Sequence, residues 1–184
     1  KSRHIDNGNG IEMHVLDAGD GQDVALLLHG FPEIAYSWRK IIPALAEVGY
    51  RVIAPDLRGY GLTRGWDADY NCDLSLFRPM NMVRDVLGLL AALDIDHTAL
   101  IAGHDYGANV AANCALIRPD VFRAVSLMSA PYGGPPSLKP GPIVDIVTDL
   151  AALARPRKHY HHYYAMREAN GDITNCPQGV HDFM

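Results

Sequence analysis

A strand buried on both faces cannot alternate apolar with polar residues, and three segments of this chain fit that description. Val24-Ala25-Leu26-Leu27-Leu28 runs into His29-Gly30, Arg51-Val52-Ile53-Ala54-Pro55 runs into Asp56, and Ala99-Leu100-Ile101-Ala102 runs into Gly103-His104-Asp105. Uninterrupted apolar runs of this kind mark the middle strands of a parallel sheet with helices on both sides. The segments between them supply helices. Trp38 to Val48 has helical apolar spacing closed by Gly49, and Met82, Val83, Val86, Leu87, Leu89, Leu90 and Leu93 form a long helical stripe.

Other segments extend this pattern. Ile11, Met13 and Val15 alternate with polar residues, as on a half-buried strand, and Gly19-Asp20-Gly21 carries the turn chemistry of a hairpin opening. Val125, Leu127 and Met128 read as a further strand ending at Ala130-Pro131. Strands alternating with helices predict an α/β fold with a mostly parallel sheet, its functional groups at the carboxyl ends of the strands. His29, Asp56 and Asp105 all fall at such ends. After Pro131 the texture changes to a Gly- and Pro-rich linker, followed by helical segments around Ile143 to Leu153 and Lys158 to Glu168. The expected organisation is a core over 1–131, then a linker and the start of an inserted helical subdomain over 132–184.

At 184 residues and 48% apolar content, the chain is long enough for one sizeable core. A net charge of −5 and the lack of a basic stripe argue against a nucleic-acid or anionic-membrane partner. Cys72, Cys114 and Cys176 lie outside any CxxC pattern, so neither a disulfide framework nor a zinc site is indicated. With no signal-like apolar segment and no membrane-length run, a soluble, cytoplasmic protein is expected.

The chemistry concentrates at Ala102-Gly103-His104-Asp105-Tyr106-Gly107-Ala108, where a strand pattern enters and a small-residue helix using Ala108, Ala111, Ala112 and Ala115 leaves. This is the Gly-x-nucleophile-x-Gly elbow, in which flanking glycines let strand and helix approach closely while the central side chain is exposed. Free N–H groups and the positive end of the helix beginning at Gly107 favour negative charge at Asp105. An oxyanion hole combines the N–H after the nucleophile with one from an earlier strand-to-helix loop. Here those donors are Tyr106 and, in His29-Gly30-Phe31-Pro32-Glu33, Phe31.

His29 to Glu33, Tyr36-Ser37-Trp38-Arg39, Ala54-Pro55-Asp56-Leu57-Arg58-Gly59-Tyr60-Gly61 and Gly103-His104-Asp105-Tyr106-Gly107 together resemble α/β-hydrolases of the epoxide hydrolase type. The resemblance covers nearly the whole span from Ile11 to Pro131. It implies an α/β-hydrolase fold whose core is incomplete here, followed by the first part of a helical cap. An Asp at the elbow implies attack on an apolar epoxide to form an alkyl ester, then attack of water on that ester, with no cofactor and no metal. In this reading Asp105 is the nucleophile, and the Phe31 and Tyr106 N–H groups stabilise the charge of the second step.

The resemblance also implies a proton donor from cap tyrosines. His159-Tyr160-His161-His162-Tyr163-Tyr164 is similar to the cap helix that holds the first, with Tyr160 the favoured residue and Tyr163 and Tyr164 as alternatives. The adjacent histidines point in different directions around a helix and lack a matched carboxylate or thiol, so they read as a cap surface, not a metal site. Asp56 and Arg58 read as structural groups of the Gly59-Tyr60-Gly61 loop. In such enzymes the water-activating base and its acid partner follow later strands. His181 and Asp182 come too early in the order for those roles, so the chain reads as the N-terminal portion of a longer protein in preference to a naturally short relative.

Two other functions compete. A haloalkane dehalogenase shares the Asp nucleophile, but it commonly uses ring N–H donors for the halide, and Phe31 and Tyr106 stand where they would be. A ligand-binding or signalling relative would keep the pocket without turnover.

Overall fold

The computed structural model describes residues 1–134, 145–153 and 159–179. The chain divides into two compact units, Lys1–Gly134 and Pro135–Met184. In the first, strands β1 (Ser2–Asp6), β2 (Glu12–Ala18), β3 (Asp23–Leu28), β4 (Tyr50–Pro55), β5 (Leu100–His104) and β6 (Val125–Met128) form one six-stranded sheet in the order β1-β2-β4-β3-β5-β6. The β1–β2 and β2–β4 pairs are antiparallel; β4–β3, β3–β5 and β5–β6 are parallel. The fully apolar runs occupy the centre, as their lack of alternation requires.

Period-two geometry sends the side chains of each strand to opposite faces. From β3, Leu26 and Leu28 join Met13, Val15 and Ile53 in a core against α2 (Pro79–Ala92) and α3 (Tyr106–Ile117). Leu27 points the other way, into a smaller core with Val52, Ala54, Ala102, Trp38 and Ile42, the last on α1 (Ile41–Glu47). Each fully buried Leu, Ile or Val contributes about 1.5–3 kcal/mol by leaving water, so these two layers hold the sheet between them. The long stripe of α2 accounts for Met82, Val83, Val86, Leu89 and Leu90, all buried.

Three local expectations are corrected. Gly19-Asp20-Gly21 does not open a hairpin between β2 and β3: β2 pairs with β1 on one side and β4 on the other, and the hairpin is β1–β2. A central position suits β3, whose side chains are buried on both faces, whereas β2 brings its backbone beside β4. The helix expected over Trp38 to Val48 splits into a 3-10 turn over Ala35–Lys40 and the shorter α1. Pro43 has no N–H to give to a residue one turn earlier, so regular α-helix begins only at its doorstep. Helix α3 starts at Tyr106, one residue before the expected Gly107.

The second unit contains α4 (Ile146–Leu153), α5 (Tyr160–Tyr164) and α6 (Ala169–Thr174). The linker residues 135–142, the helix starts expected at Ile143 and Lys158, and His181 and Asp182 lie outside the described residues. No described helix is long and apolar enough to cross a membrane.

Candidate active site

Strand β5 carries the chain to Asp105 and α3 departs at once, so the backbone must reverse within a single residue. Asp105 absorbs this turn with φ 51° and ψ −119°, a conformation that L side chains rarely adopt. The turn is held on both sides: Asp105 N–H donates to the Met128 carbonyl (2.9 Å) and Ala108 N–H to the Asp105 carbonyl (3.0 Å). Gly107 lies so close to the end of β3 that a Cβ there would collide with the carbonyl oxygens of Leu28 and His29. A Cβ on Gly30 would collide with the Cβ of Asp105. Both glycines are therefore demanded by close approach.

That approach places the Phe31 N–H 3.0 Å from Asp105 Oδ1, across 74 residues of sequence. The Asp105 side chain is partly exposed, and among the described residues this is the one hydrogen bond its carboxylate accepts. Oδ2 is left open. Tyr106 is the first residue of α3, so its N–H belongs to the helix-start donors that have no acceptor within the helix. Its phenol is turned elsewhere, donating to the Phe77 carbonyl (3.1 Å), and burial raises its pKa. The structure thus brings Asp105, Phe31 and Tyr106 together. Tyr160 belongs to the second unit, where it opens α5, is half exposed and stacks on His159 with ring centroids 5.0 Å apart. Tyr163 reaches Asp172 Oδ2 (3.2 Å).

Sequence reasoning passed over the side chains of two residues beside the elbow. Glu33 Oε2 meets His104 Nδ1 at 2.8 Å and accepts from Gly30 N–H at 3.3 Å, tying the Phe31 loop to the end of β5. Both letters were visible in their motifs, but a pairing across 71 residues has no signature in periodicity. His29, by contrast, points inward. Its Nδ1 lies 2.8 Å from the Gly30 carbonyl and its Nε2 accepts Leu57 N–H (2.9 Å), an arrangement that needs the neutral ring, and burial holds its pKa below the usual histidine value. Tyr60 packs edge-on against His29 and Phe31, and burial pushes its phenol up to about 12.

Asp56 and Arg58 act in the architecture. Arg58 makes a two-pronged ion pair with Asp85 (2.8 and 2.7 Å), both side chains almost fully buried. No group of three or more His, Cys, Asp or Glu among the described residues is arranged to hold a metal ion.

A parallel-centred sheet with an acidic strand-to-helix elbow and a facing N–H loop defines the class. The sequence profile described as alpha/beta hydrolase fold matches residues 24–165, and the chain belongs to that family. Within it, the chain is 47% identical over 124 residues to an epoxide hydrolase of Caballeronia sordidicola, covering 67% of this chain and 36% of that protein. It is 43% identical over 124 residues to epoxide hydrolase A of Mycobacterium tuberculosis, covering 67% and 37%. Among solved structures, an epoxide hydrolase from Vigna radiata superposes with a TM-score of 0.79 at 32% identity, over 100% of this chain and 52% of that one. Potato epoxide hydrolase I gives 0.76 at 36% identity, over 95% and 52%. The chain therefore spans about half the length of these structures and little more than a third of these curated relatives.

Proposed function

We propose that the chain carries the nucleophilic half of an epoxide hydrolase site, with Asp105 attacking an apolar epoxide to form an alkyl ester. The observation that carries this reading is the Phe31 N–H on Asp105 Oδ1, which leaves Oδ2 as the free oxygen of a carboxylate raised on a strained turn. In the first step Oδ2 forms a bond to an epoxide carbon and the C–O bond of the ring breaks. The departing oxygen takes a proton, for which Tyr160 is the proposed donor, with Tyr163 and Tyr164 as alternatives.

In the second step water loses a proton to a base and adds to the carbonyl carbon of the ester, and negative charge develops on an oxygen of Asp105 itself. Collapse then breaks the bond from that carbon to the alkyl oxygen, releasing the diol and restoring the carboxylate. The Phe31 N–H is already directed at such an oxygen, and the Tyr106 N–H at the start of α3 is the proposed second donor. No residue of this chain is assigned to the base that activates the water. Dehalogenation of haloalkanes is the weaker reading, because positions 31 and 106 hold Phe and Tyr, neither of which has a ring N–H, and the Tyr106 phenol is engaged by Phe77.

The test is to incubate the protein with styrene oxide and record its intact mass alongside diol release. A stable added mass mapped to Asp105 is expected where the ester forms but is not hydrolysed; diol release is expected where it is. Reversible binding with neither product would favour a ligand-binding relative and sink the proposal.

A further inference from the structure

We propose that His14, on β2 and remote in sequence from the elbow, is a positioning residue that acts through Asp56 on the loop carrying the Phe31 N–H. This rests on the reading of Asp105 and Phe31 given above. His14 is buried, and its Nδ1 lies 2.8 Å from Asp56 Oδ2. An ionised carboxylate only accepts, so the hydrogen of this bond sits on His14 Nδ1. His14 Nε2 meets Ser2 Oγ at 2.8 Å, and the His4 ring packs beside it at 5.4 Å between centroids.

Asp56 passes this constraint on in two directions. Its Oδ1 accepts Ala35 N–H at 2.7 Å, which fixes the far end of the loop that begins at His29 and contains Phe31. Its Oδ2 also accepts Leu62 N–H at 2.9 Å, which fixes the far end of the segment carrying Tyr60, the ring that packs on His29 and Phe31. The backbone closes the knot: Asp56 N–H donates to the His14 carbonyl (2.8 Å), His14 N–H to Thr63 Oγ1 (3.0 Å), and Thr63 Oγ1 to the Asp56 carbonyl (2.6 Å). Three donors converge on this carboxylate, Ala35 N–H on Oδ1 and Leu62 N–H with His14 Nδ1 on Oδ2. His14 is the side chain that holds Oδ2 on the β2 side, so that Oδ1 faces Ala35. If Asp56 rotates, Ala35 N–H loses its acceptor in a buried site and the loop holding Phe31 is released at that end.

A pair of isosteric substitutions separates positioning from bulk packing. The side-chain nitrogen of Asn occupies the place of histidine Nδ1, and that of Gln the place of Nε2. His14→Asn thus keeps the donor to Asp56 and gives up Ser2, while His14→Gln does the reverse. Exchange of the Phe31 amide hydrogen, followed by NMR on the 184-residue chain, reads the loop directly. Expected is exchange within about twofold of the parent in His14→Asn and about tenfold faster in His14→Gln.

The rate of Asp105 alkylation by styrene oxide at saturating epoxide should follow the same order, with the half-saturating concentration unchanged. Equal Phe31 exchange in the two variants overturns the positioning role, whatever their thermal stability. A parent protein that never alkylates overturns the reaction assigned to Asp105 instead, and the exchange comparison still decides the role of His14.

Discussion

Two aspartates end strands β4 and β5, and their surroundings are opposite. Asp56 is 1% exposed, and its carboxylate accepts from Ala35 N–H, Leu62 N–H and His14 Nδ1. Asp105 is partly exposed on a strained backbone, and its carboxylate accepts from Phe31 N–H alone among the described residues. The same side chain is a structural knot where both oxygens are buried and engaged, and a candidate reagent where one oxygen is open and partly exposed. Burial closes both oxygens of Asp56 to a substrate, whereas Asp105 Oδ2 accepts no hydrogen bond among the described residues and is the oxygen that a carbon electrophile can reach.

The contrast is broken most severely by Asp105→Asn, which is expected to abolish both epoxide adduct and diol while leaving the melting temperature close to that of the parent. Intact mass and a thermal scan on the same sample check both halves, and retained alkylation would end the assignment. Asp56→Ala should act first on stability: the buried Ala35 N–H and His14 Nδ1 and the part-buried Leu62 N–H lose their acceptor, at about 3–5 kcal/mol by urea unfolding. A loss below about 1 kcal/mol would mean that Asp56 is no more a structural group than Asp105.

Gly107→Ala tests the packing that raises the elbow. Its methyl group meets backbone carbonyls of Leu28 and His29, which cannot swing aside as a side chain would, so a loss of about 2–3 kcal/mol is expected in the same assay. The smallest effect concerns His29, which spans the two turns by accepting Leu57 N–H and facing the Gly30 carbonyl. Burial holds its folded pKa below the 6.5 of an unfolded histidine. The unfolded chain therefore binds more protons below pH 6.5, and this contribution is full above that value and lost as pH falls through it towards the folded pKa. The melting temperature should drop between pH 7 and 5, and His29→Gln, which offers Leu57 an uncharged acceptor, should flatten the drop.

Much of the core unit was legible in the chain. The runs at 24–28, 51–55 and 99–102 could only be central strands, because an exposed face would have left a trace of alternation, and the stripe from Met82 marked α2. Strand β1 was not legible. Ser2-Arg3-His4-Ile5-Asp6 is largely polar and half exposed, and it is a strand because β2 offers it a backbone ladder, a partner that no local pattern announces. The hairpin expected at Gly19 to Gly21 failed for a related reason: turn chemistry says that the chain bends, not which edge it joins next.

The candidate site divides along the same line. Asp105, Phe31 and Tyr106 were named from two short motifs, since glycines demanded by close approach and an acidic residue raised between them leave a compact local signature. Glu33 against His104, the neutral wiring of His29 and the knot around Asp56 were invisible there. By itself the sequence determined which segments must be buried and which residue stands at the strand-to-helix reversal, because burial and turn geometry act on neighbouring residues. The tertiary structure alone decided which aspartate is sealed and which is open, because hydrogen-bond saturation depends on donors from β2, from the loop after β3 and from the loop after β4, which meet only when the sheet has formed.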